Sequence, residues 1–407
     1  MIGKIEKLSA REVLDSRGNP TVEAVLVIDS KKFKASVPSG ASTGIHEAVE
    51  LRDKNGGVSN AIENINRKIA PHLLGKKISS QKEIDDLMIS LDGTENKSKL
   101  GGNAICAVSL VICRAAAEIN NLDLFKHIGN IATNEHSILI NKYNIPSPSF
   151  NIINGGRHAK NGLNVQEFMV VPSGNTFSEK MKKIKTIYDE LKNIVVNKFG
   201  INNLVLGDEG GFSPSISKTR DALDLILKST KKEDVSIVID VAASEIFKDN
   251  KYEMDGQRLD KKELLNYYKK LVSDYPLIGI EDPFSEDDWN GFSSITESLG
   301  ENISIIGDDL LVTNPKRIKE AKEKKAVNAA LLKINQIGTV SEALDYAKLA
   351  RDFGWKIMVS HRSGETMDSF IADFAVAINS DFIKSGAPSQ KERMAKYNRL
   401  LEIEKII

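Results

Sequence analysis

The chain has 407 residues, which at roughly 150 per domain implies two domains, or one large barrel with an appendage. With 41% hydrophobic and 28% charged residues it has a core-forming globular composition, which excludes a disordered or fibrous chain. Its 56 basic and 56 acidic residues cancel, so no nucleic-acid or membrane partner is expected, although a small basic pocket for an anionic metabolite would be invisible in that sum.

Residues 3–14 and 21–29 read as strands flanking the turn Ser16-Arg17-Gly18-Asn19-Pro20, and the alternation of Phe33, Ala35 and Val37 gives a third. Ile62, Ile65, Ile69 and Leu73 share one helical face, as do Ile84, Leu87, Met88 and Leu91. A helix over about 104–119 is apolar almost all round and must be buried. Its cysteines, Cys106 and Cys113, stand about 10 Å apart along the axis, too far for a disulfide. Its longest apolar run, 104–113, is well short of the roughly 20 residues of a bilayer span. Few cysteines and a charged start, M-I-G-K-I-E-K, lead us to expect a cytoplasmic protein. A short helix is expected at 123–129, and Pro146 and Pro148 mark a boundary near 135–147. Residues 1–135 thus read as an α+β domain, a three-stranded meander plus helices.

Residues 136–407 read as α/β. Short Val/Ile/Leu-rich runs alternate with amphipathic stretches such as Val340, Ala343, Leu344, Ala347 and Ala350. The runs fall near 149–154, 165–171, 204–207, 236–241, 277–281, 304–307, 329–334, 356–360 and 382–385. From 277 onward they recur at about 26 residues, a (β/α) period. Nine runs are one more than a (β/α)8 TIM barrel holds, so one is not a barrel strand.

The late runs end in polar residues that an ordinary buried strand would not carry: Asp240, Glu281-Asp282, Asp308-Asp309, Lys333, His361-Arg362-Ser363 and Lys384. Catalytic groups of such barrels come from the C-terminal ends of several strands, so the recurrence reads as one assembled site. Asp240, Glu281 and Asp308 would converge, and three carboxylates repel unless a cation sits among them. Oxygen-only donors select a hard divalent ion, most simply Mg²⁺. Taken singly, these carboxylates would equally serve as helix caps or ion-pair partners. Lys333, inside A-A-L-L-K-I-N, is costly to bury without a partner or a task. Burial beside Lys384 and a cation is expected to push its ammonium down from about 10.4 toward neutrality, making it a base. The loops after the last two strands, with Arg362, Ser363, Gly364 and Lys384, Ser385, Gly386, suit a phosphate. Three further patches are weaker: the loop P-S-G-A-S-T-G (38–44), the turn G-D-E-G-G (207–211), and Asn154-Gly155-Gly156-Arg157-His158 with Gln166-Glu167 after it.

Together these segments resemble the enolase family over nearly the whole chain. The resemblance is carried by D-S-R-G-N-P-T-V-E (15–23), P-S-G-A-S-T-G (38–44), L-D-G-T-E-N-K-S-K-L-G-G-N-A (91–104), G-D-E-G-G (207–211), I-E-D-P-F (280–284), D-D-L-L-V-T-N-P (308–315), L-L-K-I-N-Q-I-G (331–338), S-H-R-S-G-E-T (360–366) and I-K-S-G-A-P (383–388). It implies an enolase-type barrel of two strands, two helices and six βα units, which makes 204–207 the surplus run. It implies Mg²⁺-dependent, reversible dehydration of 2-phosphoglycerate to phosphoenolpyruvate in glycolysis and gluconeogenesis. Lys333 would be the base, and Glu209, helped by Glu167 and with a raised pKa, the acid. Asp240, Glu281 and Asp308 would hold a first Mg²⁺, and Ser39 a second. Arg362 and Ser363 would hold the phosphate, Lys384 the carboxylate end, and His158 and Gln166 would line the pocket. A homodimer or larger homo-oligomer is implied. Arg157 and Lys160-Asn161 replace smaller residues common beside the loop histidine. The alternatives are another dehydratase or racemase of the superfamily, or a non-catalytic interaction protein on the same fold.

Overall fold

The computed structural model describes residues 3–40, 44, 46–78, 80–231 and 233–407. Strands β1 (Ile5–Leu14), β2 (Pro20–Ile28) and β3 (Lys31–Ser36) form an antiparallel meander. Asp15 closes the first turn, its Oδ1 accepting from the backbone N–H of Arg17 at 2.9 Å and of Asn19 at 2.8 Å. The helical segment 59–73, α-helical at Ser59–Asn64 and Ala70–Leu73 with a π-helical turn at Ile65–Ile69, and helices Gln81–Asp92, Gly102–Ile119 and Leu124–His136 complete the layer, the last running seven residues beyond the expected 129.

Helix Gly102–Ile119 departs from one expectation. It is long and apolar enough to cross a membrane by length and composition, yet fifteen of its eighteen residues are buried within the protein. The sheet and neighbouring helices cover it on most sides, which accounts for an apolar surface with no polar stripe. Cys106 and Cys113 are free thiols inside this core, and burial pushes both well above the usual thiol range.

The second layer is a closed barrel of β4 (Ser147–Asn154), β5 (Glu167–Pro172), β6 (Val235–Asp240), β7 (Leu277–Glu281), β8 (Ser304–Gly307), β9 (Ala329–Leu332), β10 (Lys356–Ser360) and β11 (Phe382–Lys384), in that order around the ring. β5 is antiparallel to both neighbours, and the remaining pairs are parallel. Helices Phe177–Phe199 and Thr219–Thr230 lie between β5 and β6, and a helix follows each later strand, giving two strands, two helices and six βα units. Residues 204–207 form no barrel strand; Leu206 makes only an isolated bridge to Phe212.

The layers meet where helix Val340–Asp352 begins. Ser109 Oγ accepts from Val340 N at 2.9 Å, and Asp85 Oδ2 accepts from Ser341 N at 3.0 Å and Ser341 Oγ at 2.7 Å. Asp85 is fully buried, and burial raises its carboxyl to about 6 against these hydrogen bonds. The folded state therefore holds this proton more tightly than the unfolded chain. The group's stabilisation is complete below about pH 4 and is lost as the pH rises through about 6. Asp85→Asn should gain about 3 kcal/mol relative to the parent between pH 4 and 7, read as urea midpoints. A difference constant across that range would show that Asp85 is not the titrating group.

Candidate active site

Alternation along the strands selects the residues that reach the site. Met169, Val171, Val238, Ile306, Ala329, Leu331 and Met358 form a second core separate from the main one, while their strand neighbours Phe168, Val170, Ile237, Ile239, Ile305, Ala330, Leu332, Ile357 and Val359 belong to the main core. Two faces alternating with period 2 mean that the smaller set plugs the barrel and the larger meets the helices. Two residues beyond the plug, on the same face, stand Asp240, Asp308, Lys333 and Ser360. Lys384 follows Phe382, which packs on the plug, by the same step. Gly279 also faces the plug, since a Cβ there would lie 3.3 to 3.4 Å from Ile306 and Val238, and Glu281 comes two residues later. Because β5 runs backwards, its first residue, Glu167, reaches the same end, opposite Asp240 and Asn154 in register. The polar strand ends are thus the next layer of one barrel interior.

Of these residues, Glu167, Asp240, Asp308, Lys333, Ser360 and Lys384 line a cleft together with His158, Gln166, Glu209, Asp282, Asp309, His361, Arg362 and Ser363, while Glu281 lies fully buried beneath it. At its floor Lys384 Nζ donates to both carboxylate oxygens of Glu281, at 2.7 and 2.8 Å, and reaches Glu167 at 3.3 Å and Asp240 at 3.5 Å. Lys333 Nζ is in contact with Asp308, whose other oxygen accepts from Gln336 Nε2 at 2.9 Å. The carboxylates Asp240, Glu281 and Asp308 are therefore divided between two ammonium groups. Among the described residues, the donor sets whose ligand atoms come within 4.8 Å of one another are instead Asp282, Asp308, Asp309 and His158, Glu167, Glu209.

The electrostatics correct two expectations. Burial works to lower the Lys333 ammonium, but the Asp308 carboxylate outweighs it and the pKa is raised. Glu209 was expected to be the raised carboxyl. Burial does push it up, but His361, His158 and Arg393 hold it well below the usual carboxylate range. The raised member is Glu167, through burial and the Glu209 charge. Glu209 is set by polar neighbours: Asn151 Nδ2 donates to its Oε2 at 2.8 Å, and Oε1 lies 3.3 Å from His361 Nε2 and 3.5 Å from His158 Nδ1.

Arg362 is buried and paired with Glu47 of the first layer, Nη1 to Oε2 at 2.8 Å and Nη2 to Oε1 at 3.3 Å. Ser363 lies beside it. Ser39 sits under Gly364, the two residues exchanging backbone hydrogen bonds at 2.8 Å. Its hydroxyl accepts from Arg52 at 2.9 Å and donates to Glu50 at 3.1 Å, turned away from the three carboxylates. Loop residues 41–43 and 45 lie outside the described residues. Sequence reasoning gave no role to Glu47, Asn151, Gln336 or Arg393; none stands at a strand end or in a glycine-rich turn.

The close set Asp282, Asp308 and Asp309 offers oxygen donors that fit a divalent cation. Asp282 and Asp308 are buried and Asp309 is half-buried. Burial and mutual repulsion raise Glu281 and Asp282 well above their usual range and Asp309 to about 8, the penalty that a cation removes.

Comparison with known proteins agrees with this architecture. Residues 5–128 match the family model of the enolase N-terminal domain, and residues 142–407 that of the enolase C-terminal TIM barrel domain. The enolase of Methanocaldococcus jannaschii is 50% identical over 412 aligned positions, covering 98% of this chain and 95% of its own length. That of Pyrococcus furiosus is 48% identical over 409 positions, covering 97% and 93%. The chain belongs to the enolase family, an enzyme of the lyase class.

Proposed function

We propose that the protein catalyses the reversible dehydration of 2-phospho-D-glycerate to phosphoenolpyruvate, the step shared by glycolysis and gluconeogenesis. The observation that supports this reading is where the candidate base and one member of the candidate acid pair stand on the barrel. Lys333 follows β9 and Glu167 opens β5, four strands away around an eight-stranded ring. A substrate between them meets a base on one face and an acid on the other, as an elimination across opposite faces needs.

In this reading Lys333 takes the carbon-2 proton in its neutral form, which the Asp308 contact disfavours and which relief of that contact in the loaded site makes available, and the electron pair moves into the substrate carboxylate. Lys384 keeps a positive charge where that negative charge grows, because Glu167, Glu281 and Asp240 outweigh burial and hold its pKa well above the usual lysine range. The electron pair then returns from the carboxylate to form the carbon-2–carbon-3 double bond as the carbon-3–oxygen bond breaks, and the one proton that the Glu167–Glu209 pair shares goes to the 3-hydroxyl as it leaves as water. Arg362 and Ser363 receive the phosphate, with Glu47 giving up Arg362 to it, and His158 and Gln166 close the pocket. We assign Asp240, Glu281 and Asp308 to a first Mg²⁺ and Ser39 to a second, two per site. When bound, the metal supplies positive charge beside the substrate carboxylate.

We further propose that residues 1–135 form a lid domain over a catalytic domain of 136–407. Cytoplasmic location and assembly as a homodimer or larger homo-oligomer follow from the family resemblance and the composition.

With 2-phosphoglycerate and Mg²⁺, ultraviolet absorbance of the conjugated enol product should rise, and chelation should cut the rate at least about 100-fold, since such charge stabilisation is worth several kcal/mol. No signal with Mg²⁺ present would overturn the reading.

A further inference from the structure

Arg393, on helix Lys391–Glu404, heads the large side chains that are fully buried. Its Nη1 donates to His361 Nδ1 and to the Arg362 carbonyl, each at 2.6 Å. Its Nη2 donates to the carbonyls of Ser363 at 2.6 Å and Asp208 at 3.1 Å, and its Nε to Gln390 Oε1 at 3.3 Å. A guanidinium only donates and stays charged, so His361 Nδ1 must be the acceptor. The ring proton then sits on Nε2, the nitrogen 3.3 Å from Glu209 Oε1. The same guanidinium therefore touches both catalytic loops, that of Asp208-Glu209 and that of Arg362-Ser363.

We propose that Arg393 is a positioning residue for this reaction, fixing His361 as the Nε2–H tautomer so that a donor, and never a lone pair, faces Glu209. The proposal rests on Glu209 belonging to the acid pair. A carboxylate behind an imidazole makes the ring a better base; a guanidinium behind it does the reverse. The neutral ring keeps its own proton and cannot remove the one meant for the departing hydroxyl. With the other tautomer, a lone pair would oppose the carboxylate and compete for that proton. The chain turn supports this placement. Gly386 has φ +73°, and a Cβ there would lie 2.7 Å from the Glu209 carbonyl oxygen and 3.0 Å from Arg393 Cδ. Ala387 N also donates to that Glu209 carbonyl at 2.9 Å, so the loop leading into the last helix is fastened to the acid's loop.

Long-range ¹⁵N–¹H spectra of the ring-labelled protein, with the His361 signals assigned by their loss in His361→Asn, should show the Nε2–H form. An Nδ1–H tautomer in the parent would overturn the proposal whether or not the Arg393 variants fold. Arg393→Gln should shift the tautomer and lower kcat for dehydration about 10-fold or more with KM changed far less, and Arg393→Lys, which keeps a charged donor, should restore both in part. Combined with His361→Asn, Arg393→Gln should cost little beyond the single His361 variant. Losses that multiply would mean that Arg393 acts by holding the fold. Should Glu209→Gln leave dehydration intact, the acid assignment fails, while the tautomer spectrum still reports whether Arg393 sets the ring.

Discussion

Lys333→Ala should abolish exchange of the carbon-2 proton of 2-phosphoglycerate with solvent and lower kcat by about 10⁴, the upper range for loss of a positioned base. Exchange isolates the first step, since it needs no departure of the hydroxyl, and it is read by NMR in deuterated buffer. The structure adds a second consequence. Lys333 is the ammonium in contact with Asp308 and holds that carboxylate below its usual range against burial. Removing it strands a buried negative charge, a loss worth about 3–5 kcal/mol. A divalent cation at the carboxylates can replace that compensation, so Mg²⁺ should raise the melting temperature of Lys333→Ala more than that of the parent. Normal exchange in the variant would remove Lys333 from the role of base; equal stabilisation by Mg²⁺ would show that the ion does not answer to Asp308.

The strand-end charges were legible because barrel parity is a local rule. Asp240, Asp308 and Lys333 each follow an apolar inward residue by two positions, and that pattern can be read without knowing any contact. The surplus run at 204–207 was not excluded by its own composition; Val205 and Leu206 are exposed on the way into the 207–211 turn. Arg393 was illegible for the opposite reason. K-E-R-M-A-K reads as the solvated face of an amphipathic helix, yet Arg393 and Lys396 are both buried, Lys396 donating to Glu365 at 2.6 Å. Their partners lie about thirty positions away, beyond any helical spacing. The two misjudged pKa directions share this cause. Burial is predictable from a strand position, but Asp308 beside Lys333 and His361 beside Glu209 are meetings between different strands and loops, and the nearest charge decided the sign.

Glu209→Gln should separate the two halves of the reaction. The amide keeps the shape of the side chain but removes the carboxylate that shares the Glu167 proton, so dehydration should fall by about 10² to 10⁴. Carbon-2 exchange should persist, because Lys333 stands across the barrel and does not depend on Glu209 for its proton. Glu167→Gln tests the other half of the pair. Burial and the Glu209 charge raise Glu167, so within the pair the shared proton resides there, and it is lost as the pH climbs through that raised value. The parent should therefore lose dehydration on an alkaline limb that Glu167→Gln, already depleted of the proton, no longer shows. The comparison also bears on Lys384, which touches Glu167 at 3.3 Å and Glu281 at 2.7 Å. With an amide in place of the Glu167 carboxyl, Lys384 should keep its contacts with Glu281 and Asp240, leaving its ammonium in place to meet the substrate carboxylate. Loss of exchange in Glu209→Gln would mean that proton removal and hydroxyl loss are one concerted event in this site, and the division of labour between the two sides of the barrel would have to be abandoned.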